Sequence, residues 1–239
     1  MSSPLAGMLD TMFKEMSAAN EYAMFISTGQ KARVLHGIAE NYYGPEYTAD
    51  VILDTSRAWC ARMPLLQMLF PQSRVIACVR NVSWIVDSIE RVVQKNALSP
   101  SAIFNYQSGG TVYSRTDMVA NGDGLVGFSY NALKDAFYGA HADKMLLVQY
   151  ETLVTEPQRV LDAVYQHLGQ AAYPHDFNNV AYEADEFDQR AGTPGLHAVR
   201  PQIAAAARAT ILPPDLFNRF ANDAFWLHPE ANTHGVRIV

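Results

Sequence analysis

An α/β fold with a mostly parallel sheet flanked by helices is predicted by three features of this 239-residue sequence. The runs VILD (51–54), SRVIACVR (73–80) and MLLVQYE (145–151) are short, apolar and without polar alternation, as expected of strands covered on both faces. Helical patterns separate or follow these runs. In 82–95 the residues Val82, Ile85, Val86, Ile89, Val92 and Val93 form one apolar stripe of an amphipathic helix. Between 155 and 169, Pro157 stands near a helix start, Val160, Leu161, Val164, Tyr165 and Leu168 recur at helical spacing, and Gly169 ends the pattern. Strands alternating with helices at this spacing predict a parallel sheet.

The remaining elements follow in chain order. Leu5, Met8, Leu9, Met12, Phe13 and Met16, then Val34, Leu35, Ile38 and Tyr42, repeat at threes and fours, so the first 43 residues are expected to form packing helices whose methionines sit in the core. The polar, glycine-containing segment 109–124 is expected to be a surface loop, and 170–212 to be irregular around Pro174, Pro194 and Pro201. No internal repeat is present, and the whole of 1–239 is expected to form a single domain.

Charge and cysteine content narrow the function. With 24 acidic and 18 basic residues the net charge is −6, the opposite of an electrostatic nucleic-acid binder, so an anion site must be local. Two cysteines, Cys60 and Cys78, are too few for a disulfide framework; both are expected to be buried, reduced thiols, consistent with a cytoplasmic location. No run approaches the roughly 20 apolar residues of a membrane span, and no leader pattern opens the chain.

The stretch CVRNVSWIVDSIER (78–91) carries the chemistry. Ligands of open α/β sheets collect at the carboxyl ends of strands, and Arg80 stands at such an end. At about 100° per residue, Ser88 lies about 40° from Val92 on the following helix, at the border of the buried stripe. A guanidinium holds a phosphate through two parallel hydrogen bonds and a hydroxyl can add a third, so the pair suits a phosphate monoester. The competing reading is an Arg80 ion pair with a neighbouring carboxylate and a surface serine.

VILDTSRAW, LFPQSRVIACVRNVSWIVDSIE, LLVQYETLVTEPQRVLDAVYQHLG and PGLHAVR, in this order, resemble segments of the sulfotransferase family that uses 3′-phosphoadenosine 5′-phosphosulfate (PAPS), in its bacterial form. The resemblance implies a P-loop NTPase-like architecture and a transferase moving a sulfuryl group from PAPS to a hydroxyl or amine of a small-molecule or carbohydrate acceptor. It further implies that Arg80 and Ser88 hold the 3′-phosphate, that Tyr150 lies near the adenine, that Glu151 caps or orients its loop, and that Gly195, His197 and Arg200 belong to a loop closing over the nucleotide.

The sequence departs from that pattern in two places. The family's N-terminal strand and phosphate loop of the PRSGT kind, which hold the 5′-phosphosulfate, are not found here; a chain lacking them is expected to transfer poorly and to be marginally stable or self-associated as a homo-oligomer. Thr55 stands where relatives commonly carry a lysine, leaving Arg57 as the candidate cation for the sulfuryl group. His197 and His36 are the candidate bases for the acceptor hydroxyl. No histidine pair has metal-ligand spacing with a third ligand, so no metal is expected. A non-catalytic nucleotide-binding or interaction module on the same scaffold is the alternative, ahead of a nucleotide kinase of related architecture.

Overall fold

A computed structural model describes residues 3–17, 21–98, 103 and 110–239. The chain divides into two compact units, Met1–Ser73 and Arg74–Val239. Gly109, the expected start of the surface loop, lies outside the described residues.

The first unit is helical. Helix α1 spans Leu5–Glu15 and α2 spans Thr28–Tyr43, and α3 (Met63–Leu69) follows a 3₁₀ turn over Arg57–Arg62. Helix α2 starts at a capping box, in which the Ser27 hydroxyl accepts the Gln30 N–H while the Gln30 side chain accepts the Ser27 N–H. Leu5, Ala6 and Leu9 bury one face of α1, and Met16 just past its end is buried too, but Met8, Met12 and Phe13 are exposed, so of these three methionines only Met16 joins the core. VILD is not a strand either. Residues 51–56 have no regular structure, and Leu53 is 74% exposed. Asp54 is an acceptor hub for the Tyr43 hydroxyl (2.5 Å) and Trp59 Nε1 (2.6 Å), and the Thr55 carbonyl accepts the Ser3 N–H (2.6 Å). So short an apolar run does not by itself decide between strand and irregular chain.

The second unit is mixed α/β, a small parallel sheet flanked by helices. Strand β1 (Val75–Val79) runs into α4 (Val82–Lys95); α5 (Val112–Ala120) and α6 (Leu125–Phe137) precede β2 (Met145–Gln149). Helices α7 (Tyr150–Thr155), α8 (Pro157–Leu168), α9 (Asp185–Arg190) and α10 (Pro214–Arg219) lead to β3 (Arg237–Ile238). The strand order is β1-β2-β3, with Ala77 opposite Leu147 and Leu147 opposite Ile238. Central β2 is buried from Met145 to Val148, and its Leu146 and Val148 pack on Val160 and Ala163 of α8. Gly169 ends α8 with φ +69°, the left-handed cap its position predicted.

Two expectations fail in this unit. Segment 112–120 is a helix, α5, because Thr111 and Ser114 form a capping box and Arg115 clasps the buried Glu90 of α4 through Nε (2.9 Å) and Nη2 (2.5 Å). Cys78, on β1, an edge strand among the described residues, is exposed; Cys60, in the 3₁₀ turn of the first unit, is only half-buried, so the expectation of two buried thiols fails for both. Helix α4 packs Val82, Val86 and Ile89 against Val119, Val126, Leu216 and Phe220. That packing holds its amino end, with Asn81 as cap, beside the carboxyl ends of β1 and β2.

Candidate functional site

Arg80 follows the last residue of β1, and Tyr150 and Glu151 follow the last residue of β2; the parallel pairing of Val79 with Gln149 brings them side by side. The Arg80 guanidinium lies 3.9 Å from the centroid of the Tyr150 ring and 5.9 Å from that of Trp84, on the first turn of α4. Its Nε pairs with Glu151 Oε1 at 3.3 Å. The ion-pair reading of Arg80 is therefore met through Nε alone, and Nη1 and Nη2 make no hydrogen bond to another described residue. The Arg80 side chain is 24% exposed, held against the Tyr150 and Trp84 rings yet reachable from solvent.

Ser88 is half-buried, one helical turn beyond Trp84 on the same side of α4. The neighbouring Asp87 is fully buried. Its carboxylate accepts Arg91 Nε (2.9 Å), the Thr210 hydroxyl (2.8 Å) and the Ile211 N–H (2.7 Å), and pairs with Arg208 Nη2 at 3.1 Å. Burial pushes the Asp87 carboxyl up, but these bonds from Arg91, Ile211 and Thr210 outweigh it and hold the group below its ordinary value. Arg208 lies 5.4 Å from the Trp84 centroid, and its pKa is lowered by burial and by the like charges of Arg80 and Arg91, against the pull of Asp87.

Beside this cluster a cleft of about 450 Å³ opens at the strand ends, lined by Asn81, Trp84, Gln149, Glu151, Phe217 and Trp226 among others. Its lining is mixed: the rings of Trp84, Phe217 and Trp226 and the aliphatic Ala221, Ala224 and Leu227 stand beside the polar Asn81, Ser83, Gln149, Glu151 and Asn218. Asn81 caps α4 by accepting the Ser83 N–H (2.9 Å), and the Ser83 hydroxyl donates to the Phe217 carbonyl (2.6 Å), which fixes the cleft wall.

The late loop is elsewhere. Asn96, just past the end of α4, donates to the Pro194 carbonyl (3.1 Å), so the turn holding Gly195 (φ +82°) and His197 sits at the carboxyl end of α4. The 14 residues of that helix span about 20 Å, and the structure does not bring Gly195 or His197 to Arg80. Buried Asp188 accepts the His197 N–H (2.8 Å) and contacts its Nδ1 (2.5 Å), ordering this turn. Arg200 is exposed, and Arg57 is an exposed residue opening a 3₁₀ turn of the first unit behind the Ser56 cap. His36 packs edge-on against Phe70.

Sequence reading thus brought Arg80, Ser88 and Tyr150 to one region and missed Trp84, Asp87 and Arg208. Asp87 carried a faint signal as an acid on the buried side of an apolar helix, whereas Arg208, in AAAARAT, carried none. Among the described residues no group of three or more His, Cys, Asp or Glu could hold a metal ion, and no helix is long and apolar enough to cross a membrane.

A model of the sulfotransferase family matches residues 8–174, about 70% of the chain and both structural units. The chain belongs to the sulfotransferase family, and membership suggests a P-loop-like fold, with which the small parallel sheet and its flanking helices agree. No curated protein and no solved structure matches it.

Proposed function

We propose that this family member binds the PAPS nucleotide at the carboxyl ends of β1 and β2, and that sulfuryl transfer to a small-molecule or carbohydrate hydroxyl or amine is its reaction. One observation carries the reading: Arg80, at a strand end, is braced by Tyr150, Trp84 and Glu151 while both terminal amino groups stay unengaged among the described residues. That geometry fits bidentate capture of a phosphate, with Ser88 as a further donor and Tyr150 and the rings of the cleft, Trp84, Phe217 and Trp226, beside the base. PAPS supplies the sulfuryl group. The chain's part is to hold the 3′-phosphate, exclude water along the cleft and orient the donor, while a base takes the acceptor proton.

Arg57 is proposed as the cation facing the sulfuryl group. His197 and the Gly195–Arg200 loop enter only if that loop moves, because it sits about 20 Å along α4 from Arg80. The same placement favours a second reading, a nucleotide-binding module without transfer activity. Residues 1–239 are read as one sulfotransferase-like domain, since the family match runs across both units.

Calorimetry with adenosine 3′,5′-bisphosphate tests the binding. The wild type is expected to bind it and Arg80→Ala to lose about 2–3 kcal/mol, the scale of a charge-assisted bond; equal affinity in both proteins would remove Arg80 from the site. Assay of PAPS turnover by the wild type then separates the two readings, and transfer that survives Arg57→Ala and His197→Ala would discard both catalytic assignments.

A further inference from the structure

We infer that Arg208 is the second arm of the phosphate clamp, carried to Arg80 by a strap (208–212) that buried Asp87 locks onto α4. The inference rests on the nucleotide reading above and adds a residue outside the 8–174 stretch shared with the family.

Four observations support it. The guanidinium carbons of Arg80 and Arg208 lie 5.9 and 5.4 Å from the centroid of the same indole, that of Trp84. Arg208 is anchored through Nη2 alone, to Asp87 Oδ2 (3.1 Å) and the Trp84 carbonyl (3.3 Å). Its Nε and Nη1, like Nη1 and Nη2 of Arg80, make no hydrogen bond to a described residue, and its side chain is 32% exposed. The strap is pinned at three further points: the Ala209 carbonyl accepts Arg91 Nη2 (2.6 Å), and Asp87 accepts both the Thr210 hydroxyl and the Ile211 N–H.

The local charge asks for an anion. Arg80, Arg91 and Arg208 face Asp87 and Glu151, an excess of one positive charge in a chain of net −6. Like charges are not gathered around one indole without cost, and a phosphate monoester, carrying about −1.5 to −2 near neutral pH, offsets it. Asp87 touches no ligand in this scheme. It is a positioning residue, and its work is to aim Arg208.

The test compares adenosine 3′,5′-bisphosphate with adenosine 5′-monophosphate, which lacks the 3′-phosphate, by calorimetry on the full chain. The wild type is expected to prefer the bisphosphate, and Arg208→Gln to lose about 10- to 100-fold in bisphosphate affinity with 5′-monophosphate affinity unchanged. Unchanged 5′-monophosphate binding also reports that the variant is folded. Should Arg208→Gln fail to fold, Arg208→Lys keeps the charge near Asp87 without the planar fork, and an intermediate loss confined to the bisphosphate is expected. If Arg80→Ala loses the preference while Arg208→Gln or Arg208→Lys keeps it, the clamp role of Arg208 is overturned and the nucleotide reading stands. A wild type that does not distinguish the two ligands overturns both.

Discussion

Asp87 concentrates more polar interactions than any other single carboxylate described above, and they are made where water cannot substitute for them. Asp87→Asn keeps the acceptor for Thr210 and Ile211 but discards the charge facing Arg91 and Arg208. Breaking a fully buried pair costs about 3–5 kcal/mol; here both arginines are about a third exposed, so a loss of about 2 kcal/mol in denaturant unfolding is expected. Tyr150 offers a second residue-scale test. If its ring supports Arg80, Tyr150→Phe should hold bisphosphate affinity within about twofold, and Tyr150→Leu should lower it about fivefold, the size of a cation–π contact near 1 kcal/mol. Equal losses in the two variants would assign the role to the hydroxyl.

At the scale of elements, the junction of α5 and α6 is set by close backbone approach. A Cβ on Gly127 would fall 1.7 Å from the Asn121 carbonyl oxygen, and one on Gly124 would fall 2.3 Å from that of Met118. Neither neighbour is a flexible side-chain tip. Gly127→Ala is therefore expected to lower stability by about 3 kcal/mol or more, at the upper end of overpacking costs, even though alanine favours helices. Gly169→Ala makes a control of different origin: its surroundings are open, so only the left-handed backbone resists, and a loss of about 1 kcal/mol is expected. Thermal or denaturant unfolding of both variants gives the order, and a Gly127→Ala protein as stable as wild type would mean that the two helices separate freely.

At the scale of the molecule, ionisation bounds the stable pH range from both sides. Hydrogen bonds and nearby cations hold Asp87 below its ordinary value against burial, His197 does the same for Asp188, and Lys14 holds down Asp10. Folded-state values below unfolded ones mean that the unfolded chain takes up protons first, so this stabilisation is present above about pH 4 and is lost as pH falls further. On the alkaline side burial pushes the Cys60 thiol up to about 11, and burial with the Asp54 hydrogen bond raises Tyr43. There the unfolded chain loses protons first, and stability declines from about pH 9 upward. Urea midpoints from pH 3 to 10.5 should trace a plateau with two falling edges; a Cys60→Ala variant that keeps the same alkaline edge would shift its origin to Tyr43.

The sequence by itself determined the elements whose signals are local and redundant. The stripe of 82–95 specified α4, Pro157 and Gly169 bounded α8, and the apolar runs at 75–79 and 145–149 became parallel neighbours. From those strand ends followed the placement of Arg80, Tyr150 and Glu151, because a parallel pair carries whatever follows each strand to the same edge. Only the tertiary structure decided the rest. VILD forms no strand, its Asp54 instead accepting from Tyr43 and Trp59, and 112–120 became a helix through Arg115 and Glu90, which lie 25 residues apart. Arg208 reaches Trp84 across 124 residues by way of a carboxylate whose burial no local pattern announces. Periodicity records which face of one element meets the core, whereas pairing between distant polar groups depends on how whole elements pack, and a buried charge is tolerated only where that packing delivers its partners.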